Sequence, residues 1–168
     1  QGKSGFDNEW VLQGPSNISG RINVIALDPS NPDSVWYVGA ARGGVFKTTN
    51  AGTNWTPIFD AQNTLSIGAI AIDPTNTKTI YVGTGDVNIS SFFAVGDGLY
   101  KSTDGGQTWQ NIGLKNTYII SDIVINAQNP AIVYVSSMGN PMLKDTTSRG
   151  IFKTEDGGKN WEHLFSAS

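Results

Sequence analysis

The chain holds three arginines, Arg21, Arg42 and Arg149, and a single histidine, His163. A guanidinium is planar and grips a carboxylate through two parallel hydrogen bonds, so arginines gathered on one face could hold an acidic ligand. Arg42 and Arg149 each stand just before an apolar aromatic pair, which equally suits a repeated fold-level bond. Asp86 and Asn88, with Asp97 nearby, offer the oxygen ligands a hard cation takes, but their spacing fits no EF-hand loop and turn capping explains them as well. Hydrolysis of a glycosidic bond needs two carboxylates across a cleft. Asp86, Asp97, Asp122 and Asp145 could supply them, though the sequence pairs none. Phe92, Phe93 and Met142 could stack on a sugar or a peptide, or simply cover a core. Nothing supports a nucleophile–His–acid or His–metal arrangement, so no catalytic residue, metal ligand or cofactor is assigned.

The elements that must position these groups come from a repeat. Lys101-Ser102-Thr103-Asp104-Gly105-Gly106-Gln107-Thr108-Trp109 is flanked by a copy over 47–55 and another over 153–161. Asn50, Asp104 and Asp156 hold one position of the three copies, and Trp55, Trp109 and Trp161 close them. An aromatic strand, then Asp or Asn with glycine, then a strand opening on Trp, predicts a β-hairpin. The Asp or Asn side chain accepts backbone N–H groups in the turn, and the Trp anchors the returning strand.

The full unit is longer: 54 residues separate Trp55 from Trp109, and 52 separate Trp109 from Trp161. Periods somewhat above roughly 40, with four strand signals in each, belong to β-propellers. The first strands are expected at 22–27, 67–72 and 119–125, and the second at 35–38, 80–82 and 132–135. The third is the aromatic pair, and the fourth starts at each Trp. The division is an N-terminal strand within 1–18 that completes another blade, then blades at 19–61, 62–115 and 116–168. Three blades are too few to close a ring of about four to eight, so the expectation is part of a larger all-β propeller, completed by further blades or by identical subunits.

From second-strand Tyr to third-strand aromatic the spacing is 9, 19 and 18 residues, so blades two and three carry insertions over 85–98 and 136–150. Up-and-down connectivity puts these loops, and all three arginines, on the face opposite the Asp/Asn turns. Loops on a rigid scaffold are where binding concentrates. The candidate ligand-binding set is therefore Arg21, Arg42, Asp86, Asn88, Phe92, Phe93 and Arg149.

Net charge is −3 with dispersed Lys and Arg, which argues against nucleic acid as a partner. No apolar run approaches the roughly 18 residues of a membrane span. The chain contains no cysteine, hence no disulfide or thiolate site. It opens on Gln1 rather than Met, as a product with its signal peptide removed would.

Ser102, Asp104, Gly106, Thr108 and Trp109 resemble the Asp-box (BNR) repeat, Ser-x-Asp-x-Gly-x-Thr-Trp, at every defined position. The third copy has Thr154 and Asn160 in place of Ser and Thr, and the first also has Asn50 in place of Asp. In that family the box is structural. Gly20-Arg21-Ile22, 42–49, 66–74 and 81–86 are similar to the opening of bacterial sortilin-like (Vps10-type) propellers, above all those of Bacteroidetes. The resemblance implies a secreted or cell-surface propeller, many of whose kin carry a glycosyl-hydrolase label. Asp-box sialidases bind a carboxylate with three arginines, but Ser19-Gly20-Arg21-Ile22 departs from their Arg-Ile-Pro motif and no Tyr–Glu pair is placed. The leading expectation is an exported binding or scaffold module for a glycan or extended peptide. One alternative is an Asp-box glycoside hydrolase akin to xyloglucanases, with part of its active site in other blades. Another is a structural partner in an envelope or secretion assembly.

Overall fold

The computed structural model describes residues 20–88, 94–144 and 147–166. These form three four-stranded antiparallel sheets, each with its strands side by side in chain order. The first comprises β1 (Ile22–Leu27), β2 (Trp36–Ala40), β3 (Gly44–Thr48) and β4 (Thr56–Pro57). The second comprises β5 (Ile67–Ile72), β6 (Ile80–Thr84), β7 (Leu99–Ser102) and β8 (Gln110–Asn111). The third comprises β9 (Ile120–Ile125), β10 (Val133–Ser137), β11 (Gly150–Thr154) and β12 (Glu162–Phe165). Successive sheets pack face to face, β1 and β2 against β5 and then β5 and β6 against β9. This is the arrangement of propeller blades, in which first strands line the axis and fourth strands the rim.

Second strands run two residues further than expected, and the fourth strands of the first two blades are shorter. Val35 lies outside β2 because its N–H bonds the Asn31 carbonyl inside the turn. β9 starts one residue late because the Ile119 N–H turns back to the Thr117 carbonyl. The expected N-terminal strand around Trp10 lies outside the described residues.

Two apolar clusters hold the blades together. Tyr37 and Val45 of the first meet Ile70, Ile80, Val82 and Tyr100 of the second. Ala69, Tyr81 and Leu99 of the second meet Ile123, Val133, Val135 and Phe152 of the third. Period-2 alternation lets β5–β7 serve both neighbours, Ile70 and Val82 facing one way, Ala69 and Tyr81 the other. Close approach at the axis depends on glycine. A Cβ on Gly39 would fall 2.5 Å from the Ile67 side chain, and one on Gly83 would fall 2.3 Å from Ile120.

The three boxes close by one bonding scheme. In the second, the Ser102 hydroxyl donates to Asp104 at 2.8 Å and accepts the Gly106 N–H at 2.9 Å, while Asp104 accepts the Thr108 N–H and hydroxyl at 2.9 and 2.6 Å. In the third, Thr154 replaces Ser102, and Asp156 accepts the Asn160 N–H and side-chain amide at 2.9 and 2.7 Å. In the first, the Asn50 carbonyl accepts Thr48 at 3.0 Å and the Asn54 N–H at 2.9 Å. These bonds hold the Asp104 carboxyl well below the usual range, the Thr108 hydroxyl and N–H foremost. The Asn160 N–H and amide, then Thr154, do the same for Asp156. The second and third boxes also tie blades together. Trp109 Nε1 donates to the Ile58 carbonyl at 2.7 Å, and Trp161 Nε1 to the Ile112 carbonyl at 3.1 Å.

Candidate functional site

The loop face, opposite the boxes, gathers the start of β1 and the β2–β3, β6–β7 and β10–β11 connections. Arg21 enters β1 and Asp86 leaves β6, and blade packing closes the gap between them. Arg21 Nη2 donates to both Asp86 oxygens, at 2.5 and 2.6 Å, and Arg21 Nε donates to Asn23 Oδ1 at 3.0 Å. Asn23 Nδ2 reaches Asp86 at 3.2 Å and the Ile67 carbonyl at 2.9 Å. The Asn88 N–H donates to Asp86 at 3.1 Å and its side-chain amide to Asn23 Oδ1 at 3.0 Å. Asp86 is thus buried inside a shell of donors, while the Arg21 side chain stays 45% exposed. Burial pushes the Asp86 carboxyl up. The bonds from Arg21, the Asn88 N–H and Asn23, with the Arg21 charge, outweigh it and hold the carboxyl below its ordinary range. Asp86 is an ionised anchor and carries no proton to give at neutral pH.

This geometry replaces the reading of Asp86, Asn88 and Asp97 as cation ligands. The charge opposite Asp86 is Arg21, and Asp97 belongs to a different set, accepting the Tyr100 hydroxyl at 2.9 Å and the Asn63 amide at 3.4 Å. Among the described residues no cluster of three acidic or histidine side chains could hold a metal ion. The arginines also have separate duties. Arg149 Nη2 donates to the Asn140 and Leu143 carbonyls at 3.3 and 3.1 Å, pinning its own loop. Arg42 is exposed on the β2–β3 connection. Phe92, Phe93 and Asp145 lie outside the described residues. Met142 is 75% exposed on the β10–β11 loop, Asp122 is exposed on β9, and His163 stacks on Phe152 at the rim.

Sequence reasoning missed two features of this face. Asn23 joins Arg21, Asp86 and Asn88 into one cluster, and no motif marks it. A cavity of about 250 Å³ lies between the second and third blades, lined by Leu114, Lys115, Thr117, Ser148 and Phe152 among others. Its floor is a 3-10 turn at Lys115–Thr117, flanked by Leu114 and Tyr118 at φ of 56° and 59°. Leu and Tyr give no sequence hint of left-handed backbone.

Four-stranded blades joined by box-to-rim hydrogen bonds define an Asp-box β-propeller, of which this chain is a part. The Sortilin-Vps10 family model (sortilin, neurotensin receptor 3) matches residues 43–167, and the chain belongs to that family. It is 26% identical to an oligoxyloglucan-reducing end-specific xyloglucanase of Emericella nidulans, covering 92% of this chain and 19% of that protein. It is 29% identical to a xyloglucanase of Acetivibrio thermocellus, over 84% of this chain and 25% of that one. Among solved structures it resembles the GH74 enzyme of Niastella koreensis (26% identity, TM-score 0.63, 82% and 20% of the two chains). It also resembles YCF48 bound to D1 peptide (15% identity, TM-score 0.56, 85% and 39%), a likeness of fold alone. The chain therefore spans about a fifth to a quarter of the length of these xyloglucanases. The likeness to xyloglucanases overturns the expectation of a binding or scaffold module without catalysis and favours the hydrolase alternative. No helix among the described residues is long and apolar enough to cross a membrane.

Proposed function

We propose that this chain is the propeller part of a glycoside hydrolase that acts on a branched β-glucan of the xyloglucan class. The observation that carries this reading is the likeness to xyloglucanases over most of the chain, at 26–29% identity. The loop face agrees with it. It offers a rigid ion-paired cluster at the mouth of the inner strands and a cavity with room for a single sugar unit. Such a substrate is a polymer too large to enter a cell, so the protein works in the extracellular space or at the cell surface.

Hydrolysis takes one carboxyl group to protonate the leaving oxygen and a second to act as base or nucleophile. Asp86 is unsuited to the acid role because it is held ionised with both oxygens engaged. Its work is to fix Arg21 and the first turn of the 85–98 loop as part of the cleft wall. The reacting pair then draws on other blades, with Asp97 and Asp122 the loop-side and inner-strand carboxylates this chain could add. The test incubates the full-length protein with xyloglucan and measures release of reducing ends. Turnover of xyloglucan above unbranched β-glucan is expected. Absence of release from any β-glucan overturns the reading. Asp97→Asn and Asp122→Asn in the same protein are then read by kcat: a fall of about 10²-fold or more marks a reacting carboxylate, and an unchanged value removes that residue from the pair.

A further inference from the structure

The cavity between the second and third blades has the parts of a ligand site, and it lies at the other blade interface from the Arg21–Asp86 cluster. Its volume of about 250 Å³ suits a single small ring, being less than the roughly 300–1,000 Å³ of drug-sized pockets. Leu114 and Phe152 give it an apolar wall. His163 stacks on Phe152 with ring centroids 4.3 Å apart and planes 7° apart, which fixes the phenyl ring from behind. Ser148 also lines the cavity, is 3% exposed, and has a hydroxyl with no hydrogen-bond partner. A buried hydroxyl left unpaired costs stability until something bonds it. Ser137 nearby shows the contrast. Its hydroxyl lies 2.8, 3.2 and 2.7 Å from the Thr117, Ile119 and Ser148 carbonyls and accepts the Gly139 N–H at 3.1 Å, so the fold satisfies this backbone without Ser148.

Lys115 and Asn116 line the exposed side of the cavity, and no described lining residue is acidic. Among the described residues the ion pairs are Arg21–Asp86 and Lys153–Glu155, so the Lys115 ammonium meets no carboxylate. The wall is also set in advance. Tyr118 has φ 59° and ψ −50°, and the Ile119 N–H bonds the Thr117 carbonyl at 2.6 Å, a rare and strained γ-turn. The Tyr118 carbonyl accepts the Gly96 N–H at 2.6 Å and the Thr117 carbonyl accepts the Ser137 hydroxyl, so both long loops hold the strained turn in place. We infer that this cavity binds a uronosyl unit of a glycan, a sugar ring that carries a carboxylate. A ring hydroxyl supplies the partner that Ser148 lacks, and the C–H face of the ring packs on Leu114 and Phe152. The carboxylate stays on the open side, where Lys115 supplies opposite charge and the Asn116 amide a hydrogen bond. An apolar peptide side chain would leave the Ser148 hydroxyl unpaired, and a neutral sugar would leave Lys115 without a counter-charge. The inference stands apart from the hydrolase reading, because holding a unit here requires no bond cleavage.

The test titrates the full-length protein with methyl β-D-glucuronide and with methyl β-D-glucoside, which differ only in a carboxylate against a hydroxymethyl group. The glucuronide is expected to bind about tenfold more tightly at low salt, with a smaller margin at high salt. Lys115→Gln is expected to erase that margin. Ser148→Ala is expected to weaken both sugars about tenfold and to leave the melting temperature unchanged or raised, because the hydroxyl it removes has no partner in the fold. Equal affinity for the two sugars, a margin that survives Lys115→Gln, or no binding of either overturns the proposal. A Ser148→Ala protein that binds as the parent does, or that melts lower, overturns it as well, since the hydroxyl would then serve no ligand or serve the fold. All of these are read by binding and melting, so they hold whether or not xyloglucan is cleaved.

Discussion

The two ends of the blades are built on opposite rules. At the box end the same bonds recur three times, and substitutions keep the pattern: Thr154 serves as Ser102 does, and the Asn160 amide reaches the carboxylate as the Thr108 hydroxyl does. At the loop end one backbone bond recurs, from the residue after each second strand to the residue before its first strand (Ala41 to Arg21, Gly85 to Ser66, Met138 to Ile119), but the loop lengths and the charged contacts do not. Among the described residues the Arg21–Asp86 clamp exists at the first interface only, and the second interface has a cavity lined by a strained 3-10 turn. A repeat must keep whatever joins one blade to the next, while the opposite rim is free to diverge. Repetition therefore marks what holds the propeller together, and its failure marks where function accumulates.

That comparison can be broken experimentally. The largest effect is expected between the two ends, at the axis. A Cβ on Gly68 would lie 2.1 Å from the Ile120 carbonyl and 2.8 Å from the Gly85 carbonyl, and neither backbone group can swing aside. Gly68→Ala should cost about 3 kcal/mol or more in urea unfolding. Next comes the box end. Ser102→Ala strands the buried Gly106 N–H and should cost about 2 kcal/mol. Thr154→Ala should match it, because the third box uses the same bond. At the loop end, Arg21→Met should cost about 1 kcal/mol, since Asp86 keeps its Asn23 and Asn88 donors and Arg21 is half in solvent. If Arg21→Met proves costlier than Ser102→Ala, the contrast between a structural and a divergent end fails.

The smallest effect is on pH dependence. Asp104 and Asp156 have carboxyl groups depressed by folding, so each contributes stability in full above the unfolded carboxylate pKa of about 3.9 and loses it as pH falls toward the folded value. Asp104→Asn should flatten the fall in melting temperature below about pH 4. Asn50→Asp should steepen it, by giving the first box the charge the other two have.

The box end was legible because its bonds are local. Ser102 to Asp104, Ser102 to Gly106 and Asp104 to Thr108 are two to four residues apart, so residue type and spacing carry the whole arrangement. The loop end was not legible. Turn capping was the simpler reading of Asp86 and a cation site the lesser one, and neither named Arg21, because that partner is 65 residues away. Asn23, which binds Asp86 and Asn88 together, carries no signal at all in Arg21-Ile22-Asn23.

By itself the sequence determined the all-β class, the three repeats, the box turns and the face on which the long loops fall, because each follows from patterns within one blade. Only the tertiary structure decided which charges meet, where a cavity opens, and that Lys47 and Lys101 tie each blade to a glycine 58 or 56 residues onward. The physical reason is that strand alternation fixes which side a residue faces, whereas its partner across the gap is set by how two twisted sheets pack.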